Sequence, residues 1–201
     1  VEQLVALRAI PGLITLRPAD ANEVVEAWRL IVRFRHEPAA LILTRLAVPI
    51  LDRKKYASAE GAQRGAYIPA GAGGGKPDVQ LSIGSEVAHC IEAYERLKNE
   101  GIQARLISMP SWEVFEYYGR QRLPRGGSAR GGHRSCIGRT GVDVGWAQYV
   151  GPTGHTIGMK TFGASAPLKE LQRKFGSTTE GIIAAAKDQV ARFNCSGPSC
   201  Q

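Results

Sequence analysis

Apolar positions along this chain follow first one period and then another. Leu4, Leu7 and Arg8 recur at helical spacing within Val1 to Ile10, and Pro11-Gly12 ends that run. Leu13 to Leu16 then reads as a short strand. Asp20, with Glu23 three residues later, has the form of a helix N-cap and its capping-box partner. The helix they open is expected to bury Val24, Ala27, Trp28 and Ile31 on one face. The two carboxylates could instead serve acid–base chemistry, but their spacing is what a cap requires. Pro38 precedes Leu41-Ile42-Leu43-Thr44-Arg45, an apolar run of the kind that forms a buried strand and here ends on an arginine. Strand, helix and strand in this order predict a parallel α/β unit.

Residues 46–77 break the periodicity and read as a linker. Asp52, Arg53, Lys54 and Lys55 suit a charged, solvated turn, and Gly71 to Gly75 a loose segment. The glycine run lacks the lysine and hydroxyl of a phosphate-binding loop, and no strand leads into it. Arg64 to Ile68 suits a short strand opening the next sheet. A second α/β pattern follows: a strand over Val79 to Ile83, then a helix carrying Val87, Ile91, Tyr94 and Leu97 that Gly101 ends. After it come a strand over Ala104 to Ser108 and a helix opening at Pro110-Ser111. Ser177 and Glu180 have capping-box spacing ahead of an apolar stripe of Ile182, Ile183, Ala186, Val190 and Phe193. The end, 195–201, is polar and is expected to be disordered.

Composition changes this picture in one place. The chain has 201 residues, 43% of them hydrophobic, and a formal net charge of +8. That charge would suggest a nucleic-acid partner if it were spread over a face. However, Arg120, Arg122, Arg125, Arg130, Arg134 and Arg139 all fall within 119–142, which holds no acid. Without them the chain is near neutral, as ordinary soluble domains are. No apolar stretch is long enough to cross a bilayer. Cys90, Cys136, Cys195 and Cys200 show neither metal-type pairing nor a disulfide framework, which fits a reducing, cytoplasmic setting. The chain opens on valine without a signal-like segment, so we expect a piece of a longer protein.

An arginine at the carboxyl end of a parallel strand offers an always-charged planar fork to a phosphate. Taken alone, Arg45 is better read as pairing with a nearby carboxylate. The surrounding blocks decide how it is read. Pro11 to Glu23, Pro38 to Arg45, Gly84-Ser85-Glu86-Val87, Ser108-Met109-Pro110-Ser111, Tyr149-Val150-Gly151 and Phe162 to Pro167 together resemble the transketolases, in the family's order and roughly its spacing. The resemblance implies an α/β fold: the end of the thiamine-binding, pyrimidine-binding middle domain (1–48), a linker (49–77), and a small C-terminal domain with a mostly parallel sheet (78–194). It implies that Arg45 binds the phosphate of the sugar-phosphate substrate. Where the family usually has a polar residue next, this chain has Leu46.

One stretch does not fit. From Tyr118 to Gly145 the resemblance stops, although the length is nearly that of the family, and it resumes at Trp146. A GC-rich coding of Gly-Gln-Ala-Ser-Thr-Leu-Gly, read one base out of register, gives Arg-Thr-Gly-Val-Asp-Val-Gly, the residues Arg139 to Gly145. We therefore expect two compensating frameshifts, in the gene or in its sequencing, to bracket 119–145. With eight glycines and six arginines it is expected to lie outside the sheet as an exposed loop, leaving its neighbouring strands with an open edge. The competing reading is an Arg/Gly-rich nucleic-acid insert, which lacks interleaved aromatics. His133 and Cys136 supply only two of a metal's ligands.

Two classes of function follow. By the resemblance, the chain is a fragment of a transketolase of the pentose phosphate pathway. Such an enzyme transfers a two-carbon ketol unit between sugar phosphates with thiamine diphosphate and Mg or Ca, as a homodimer. The catalytic, cofactor and metal groups then lie upstream, and the fragment alone is inactive. The alternative is a non-catalytic remnant or partner-binding α/β module.

Overall fold

The structure, a computed structural model, describes residues 3–45, 47–73, 77–83, 87–119, 135–142, 145–151, 154–159, 161 and 164–195. Two sheets build it. The first is a parallel pair, β1 (Ile14–Leu16) and β2 (Ala39–Leu41), joined through helix α2 (Ala21–Ile31). A short helix α1 (Gln3–Arg8) precedes it. The Ile14 amide donates to Pro38 O at 2.9 Å and the Ile42 amide to Leu16 O at 2.8 Å, so the ladder begins and ends on these bonds. Four residues of the expected strand lie beyond its last regular position, and Leu43, Thr44 and Arg45 are exposed. The buried strand expected over 41–45 is thus a half-buried pairing over 39–41, because only β1 is there to cover it.

Helix α2 starts where its spacing predicts, with Asp20 as N-cap accepting from the Glu23 amide at 2.9 Å. Its inward face is not the expected one. Glu23, Glu26, Ala27 and Leu30 are buried, whereas Val25, Trp28 and Val32 are at least half exposed. The helix is rotated because the two glutamates find polar partners inside. Gln63, on a 3-10 turn over Ala59–Arg64, donates to Glu26, and Glu23 is held as described below.

The second sheet has the order β3-β5-β4-β6-β7, formed by β3 (Tyr67–Ala70), β4 (Val79–Ile83), β5 (Ala104–Ser108), β6 (Ser135–Val142) and β7 (His155–Met159). Only β3 runs antiparallel to its neighbour. Helices α3 (Val87–Asn99) and α7 (Thr179–Cys195) cover one face and close a core around Val79, Leu81, Cys90, Leu97, Leu106, Ile182 and Ala186. Shorter helices α4 (Trp112–Val114), α5 (Ala147–Val150) and α6 (Leu168–Lys174) complete the fold. Trp112, Phe115, Trp146 and Tyr149 pack together near α4, with Trp112 edge-on to Trp146 at 5.0 Å between ring centroids. Gly65 ends the 3-10 turn with φ near +80°. A Cβ there would lie 2.2 Å from the Phe115 amide nitrogen, so only glycine fits.

Two expectations are corrected here. Part of 119–145 is not an excluded loop. Ser135–Val142 forms β6, paired with β4 on one side and β7 on the other, and β4 therefore has no open edge. A strand bonded along both edges outweighs the poor strand preference of its glycines, and its register shifts between Gly138 and Val142, beside Arg139. His133 and the other residues at 120–134 lie outside the described residues, as do 196–201. The cap of α7 is Thr178 rather than Ser177. Its Oγ1 accepts from the Gly181 amide at 3.1 Å, and Glu180 is free to pair with Arg96 at 3.2 Å.

Leu106 is fully buried between the helices and the sheet. Leu106→Ala is expected to lower unfolding stability by about 2–5 kcal/mol in urea titrations, with an unchanged denaturant slope. An effect under about 1 kcal/mol would mean that this core is not formed.

Candidate functional site

Parallel α/β sheets gather ligands at the carboxyl ends of their strands. At that end of the first sheet lie Arg45, beyond β2, and Asp20, at the start of α2 after β1. Arg45 sits on a bend with its side chain exposed. Asp20 is 2% exposed, and both of its oxygens are engaged. Oδ1 caps Glu23, Oδ2 accepts from the Leu51 amide at 3.0 Å, and Arg53 Nη2 reaches the two oxygens at 2.9 and 2.8 Å. The turn 52–55 forms as expected, closed by the Lys55 amide on Asp52 O at 3.0 Å. Arg53 nevertheless points inward, where the sequence suggested a solvated charge.

Glu23 extends this contact to the second sheet. Its Oε2 accepts from the Ala19 amide at 2.8 Å. Its Oε1 accepts from the Tyr67 hydroxyl at 2.8 Å and the Ser108 hydroxyl at 2.6 Å. Tyr67 in turn accepts from Arg53 Nη1 at 2.9 Å. Burial pushes the Glu23 carboxyl above the usual glutamate range, and its three hydrogen bonds only partly oppose that. Burial and the Glu23 charge push the Tyr67 hydroxyl up as well.

A second contact lies along the outer edge of β1. The Glu113 carboxylate accepts from the Thr15 amide at 3.2 Å and from its hydroxyl at 2.9 Å, and the Arg17 amide donates to Pro110 O at 2.7 Å. Arg8 stacks on Trp112, 3.7 Å from the ring centroid, and burial lowers its guanidinium to about 10. A cavity of about 390 Å³ opens beside this contact, lined by Arg8, Ile10, Leu13, Glu37, Glu113 and Tyr117 among others. It lies at the amino ends of β1 and β2, the opposite end from Arg45.

Of the residues singled out from the sequence, the structure brings Asp20 and Glu23 together at the carboxyl edge as caps that also bridge two sheets. Arg53, Tyr67, Ser108 and Glu113 carry those contacts, and none was singled out for such a role. Only Arg53 gave any signal, as one charge in a basic turn. Among the described residues, no three metal-ligating side chains cluster, and no helix is long and apolar enough to cross a membrane.

A carboxyl held above its unfolded value stabilises the fold while protonated, and that stabilisation is lost as pH rises through the folded value. Glu23→Gln keeps the shape and removes the titration. The stability of the native chain relative to this variant is therefore expected to fall from pH 4 upward in urea titrations. A difference that stays flat from pH 4 to 8 would mean that the carboxyl is not held up.

Comparison with known proteins agrees with this architecture. Residues 65–178 match the transketolase-like C-terminal domain, and residues 1–50 match the transketolase pyrimidine-binding domain. The chain is 41% identical over 191 residues to a transketolase of Halalkalibacterium halodurans, covering 93% of this chain and 28% of that protein. It is 43% identical over 187 residues to a transketolase of Aquifex aeolicus, covering 90% and 26%. A transketolase variant from Pichia stipitis, crystallised with fructose 6-phosphate, superposes with a TM-score of 0.80 at 30% identity, over 96% of this chain and 27% of that one. The chain spans little more than a quarter of the length of these relatives. With both domain types in the family's order on one chain, the protein belongs to the transketolase family.

Proposed function

We propose that this chain is the C-terminal part of a working transketolase, in which Arg45 binds the phosphate of the sugar-phosphate substrate. The observation that carries this reading is the exposed arginine at the carboxyl edge of a parallel unit matching the pyrimidine-binding domain. A guanidinium there holds the end of the substrate remote from the reacting carbons. Binding energy gained at that remote end can be used to orient the reacting end. On this reading the division of the chain is 1–48, a linker at 49–77 and the C-terminal domain at 78–194.

The whole enzyme would transfer a two-carbon ketol unit in the cytoplasm, as a homodimer of the pentose phosphate pathway. Thiamine diphosphate, with Mg or Ca, supplies the carbanion sink when bound. The described residues do not fit that group. The buried carboxylates are already engaged: Asp20 by Arg53, Glu26 by Arg29 at 2.6 Å and by Gln63, and Glu23 by Tyr67 and Ser108. On this reading the cofactor and metal groups come from the remainder of the protein, the partner this chain requires. Val25 and Trp28 on the outward side of α2, Val32 just past its end, and the outer edge of β2 are surfaces such a remainder would cover.

In a full-length enzyme carrying this sequence, Arg45→Ala is expected to raise KM for phosphorylated acceptors roughly ten- to a hundredfold, as losing a charge-assisted hydrogen bond does. Non-phosphorylated acceptors should be little affected, and equal losses for both classes would make Arg45 structural. The 201-residue chain alone is expected to give no heat of thiamine diphosphate binding in calorimetry. A micromolar isotherm would show that the cofactor groups are present in it after all.

A further inference from the structure

Arg45 stands on the connection 42–51, which is tied down at both ends. At the near end the Ile42 amide donates to Leu16 O at 2.8 Å. At the far end the ties converge on Leu51. Its amide donates to Asp20 Oδ2 at 3.0 Å, and its carbonyl accepts from Asn22 Nδ2 at 3.2 Å. The Leu51 side chain is buried in the core of the five-stranded sheet, and Val48 packs against that same core. Two residues further on, Arg53 grips Asp20 and also donates to Ala57 O at 3.1 Å and to the Tyr67 hydroxyl.

A helix cap alone does not call for this arrangement. Capping takes one acceptor, and Asp20 Oδ1 supplies it. Oδ2 is left to hold the Leu51 amide, and only a carboxylate can do both and also pair with a guanidinium. A buried ion pair is a poor device for stability, because desolvating the two charges cancels much of their attraction. Its advantage is geometric: a fixed fork meets two oxygens, in a place where α2, the Arg45 connection and β3 all meet.

We propose that the Asp20–Arg53 pair is a positioning device for Arg45, fixing the far end of 42–51 so that the guanidinium is presented at one place on the carboxyl edge. Asp20 and Arg53 are thus positioning residues for phosphate recognition. Their role rests on the reading of Arg45 given above.

Two measurements test it. Asp20→Asn keeps the capping oxygen but turns the acceptor for Leu51 into an NH2 donor and loses the charge that holds Arg53, whereas Arg53→Gln removes the guanidinium and leaves both Asp20 acceptors in place. In hydrogen exchange on the 201-residue chain, both variants are expected to speed the amides of Ile42 and Leu51 about tenfold or more. Leu81 and Leu106 should keep their native rates. Unchanged exchange at 42–51 overturns the proposal. So does equal acceleration at Leu81 and Leu106, which would make the pair a general stabiliser.

In the holoenzyme, Asp20→Asn is expected to raise KM for phosphorylated acceptors about five- to twentyfold with kcat nearly unchanged, and Arg53→Lys is expected to fall between Arg53→Gln and the native enzyme. An unchanged KM for phosphorylated acceptors overturns the proposal. If Arg45→Ala itself weakens both acceptor classes alike, the reading of Arg45 fails. The exchange measurement then still decides separately whether the pair holds the connection.

Discussion

A glutamate carboxylate with almost no access to water joins the two sheets of this protein. Glu23 belongs to the first sheet's helix, yet two of its three partners, Tyr67 and Ser108, lie on strands of the second. Removing such a group from water costs several kcal/mol, and the cost falls only as its oxygens are given donors. That requirement fixes geometry. Tyr67 and Ser108 have to face α2, so β3 and β5 must present a common edge toward the first sheet. The register pairing Tyr67 with Ser108 provides it. Arg53 then closes the arrangement from the connecting segment.

The contact along β1 applies the same logic to backbone. Alternate amides of a parallel strand point away from its partner, and at an unpaired edge they would be left exposed. Thr15 and Arg17 hand theirs to Glu113 and Pro110. Val114, one residue on, fills the small core under α2 with Leu16, Ala27 and Leu30. The turn after β5 thus serves as edge cover, acceptor and core residue for a sheet that is distant from it in sequence.

What could be read from the chain divides along the line between local and distant causes. The start of α2 at Asp20, β4, α3 ending near Gly101, and β5 all follow from neighbouring residues, and all are present. The orientation of α2 was not legible. Hydrophobic spacing places Trp28 inside, but Glu23 and Glu26 have partners more than thirty residues away that no periodicity reveals. Arg53 looked like one charge among several because its partner, Asp20, lies in another element. The strand at 135–142 was missed for the opposite reason. Its composition argues for a loop, while its place between two waiting strands argues for pairing, and only the fold supplies the second fact. Arg45 was legible by type and by resemblance, but its position four residues past the end of β2 was not.

The edge cover on β1 also bears on the order in which the chain can acquire its shape. During synthesis, residues 3–45 leave the ribosome long before Glu113 and Val114 do. Until then they lack a core residue and the acceptors for two strand amides. A parallel pair of three-residue strands is too small to persist by itself, so it depends on neighbours that include this later segment. Its consolidation is coupled to that of the turn after β5, across the 98 residues that separate Thr15 from Glu113. The boundary between the two matched ranges is therefore crossed by contacts that complete the first sheet. A cut between them would part Thr15 from the Glu113 carboxylate and take Val114 out of the core it shares with Leu16, Ala27 and Leu30.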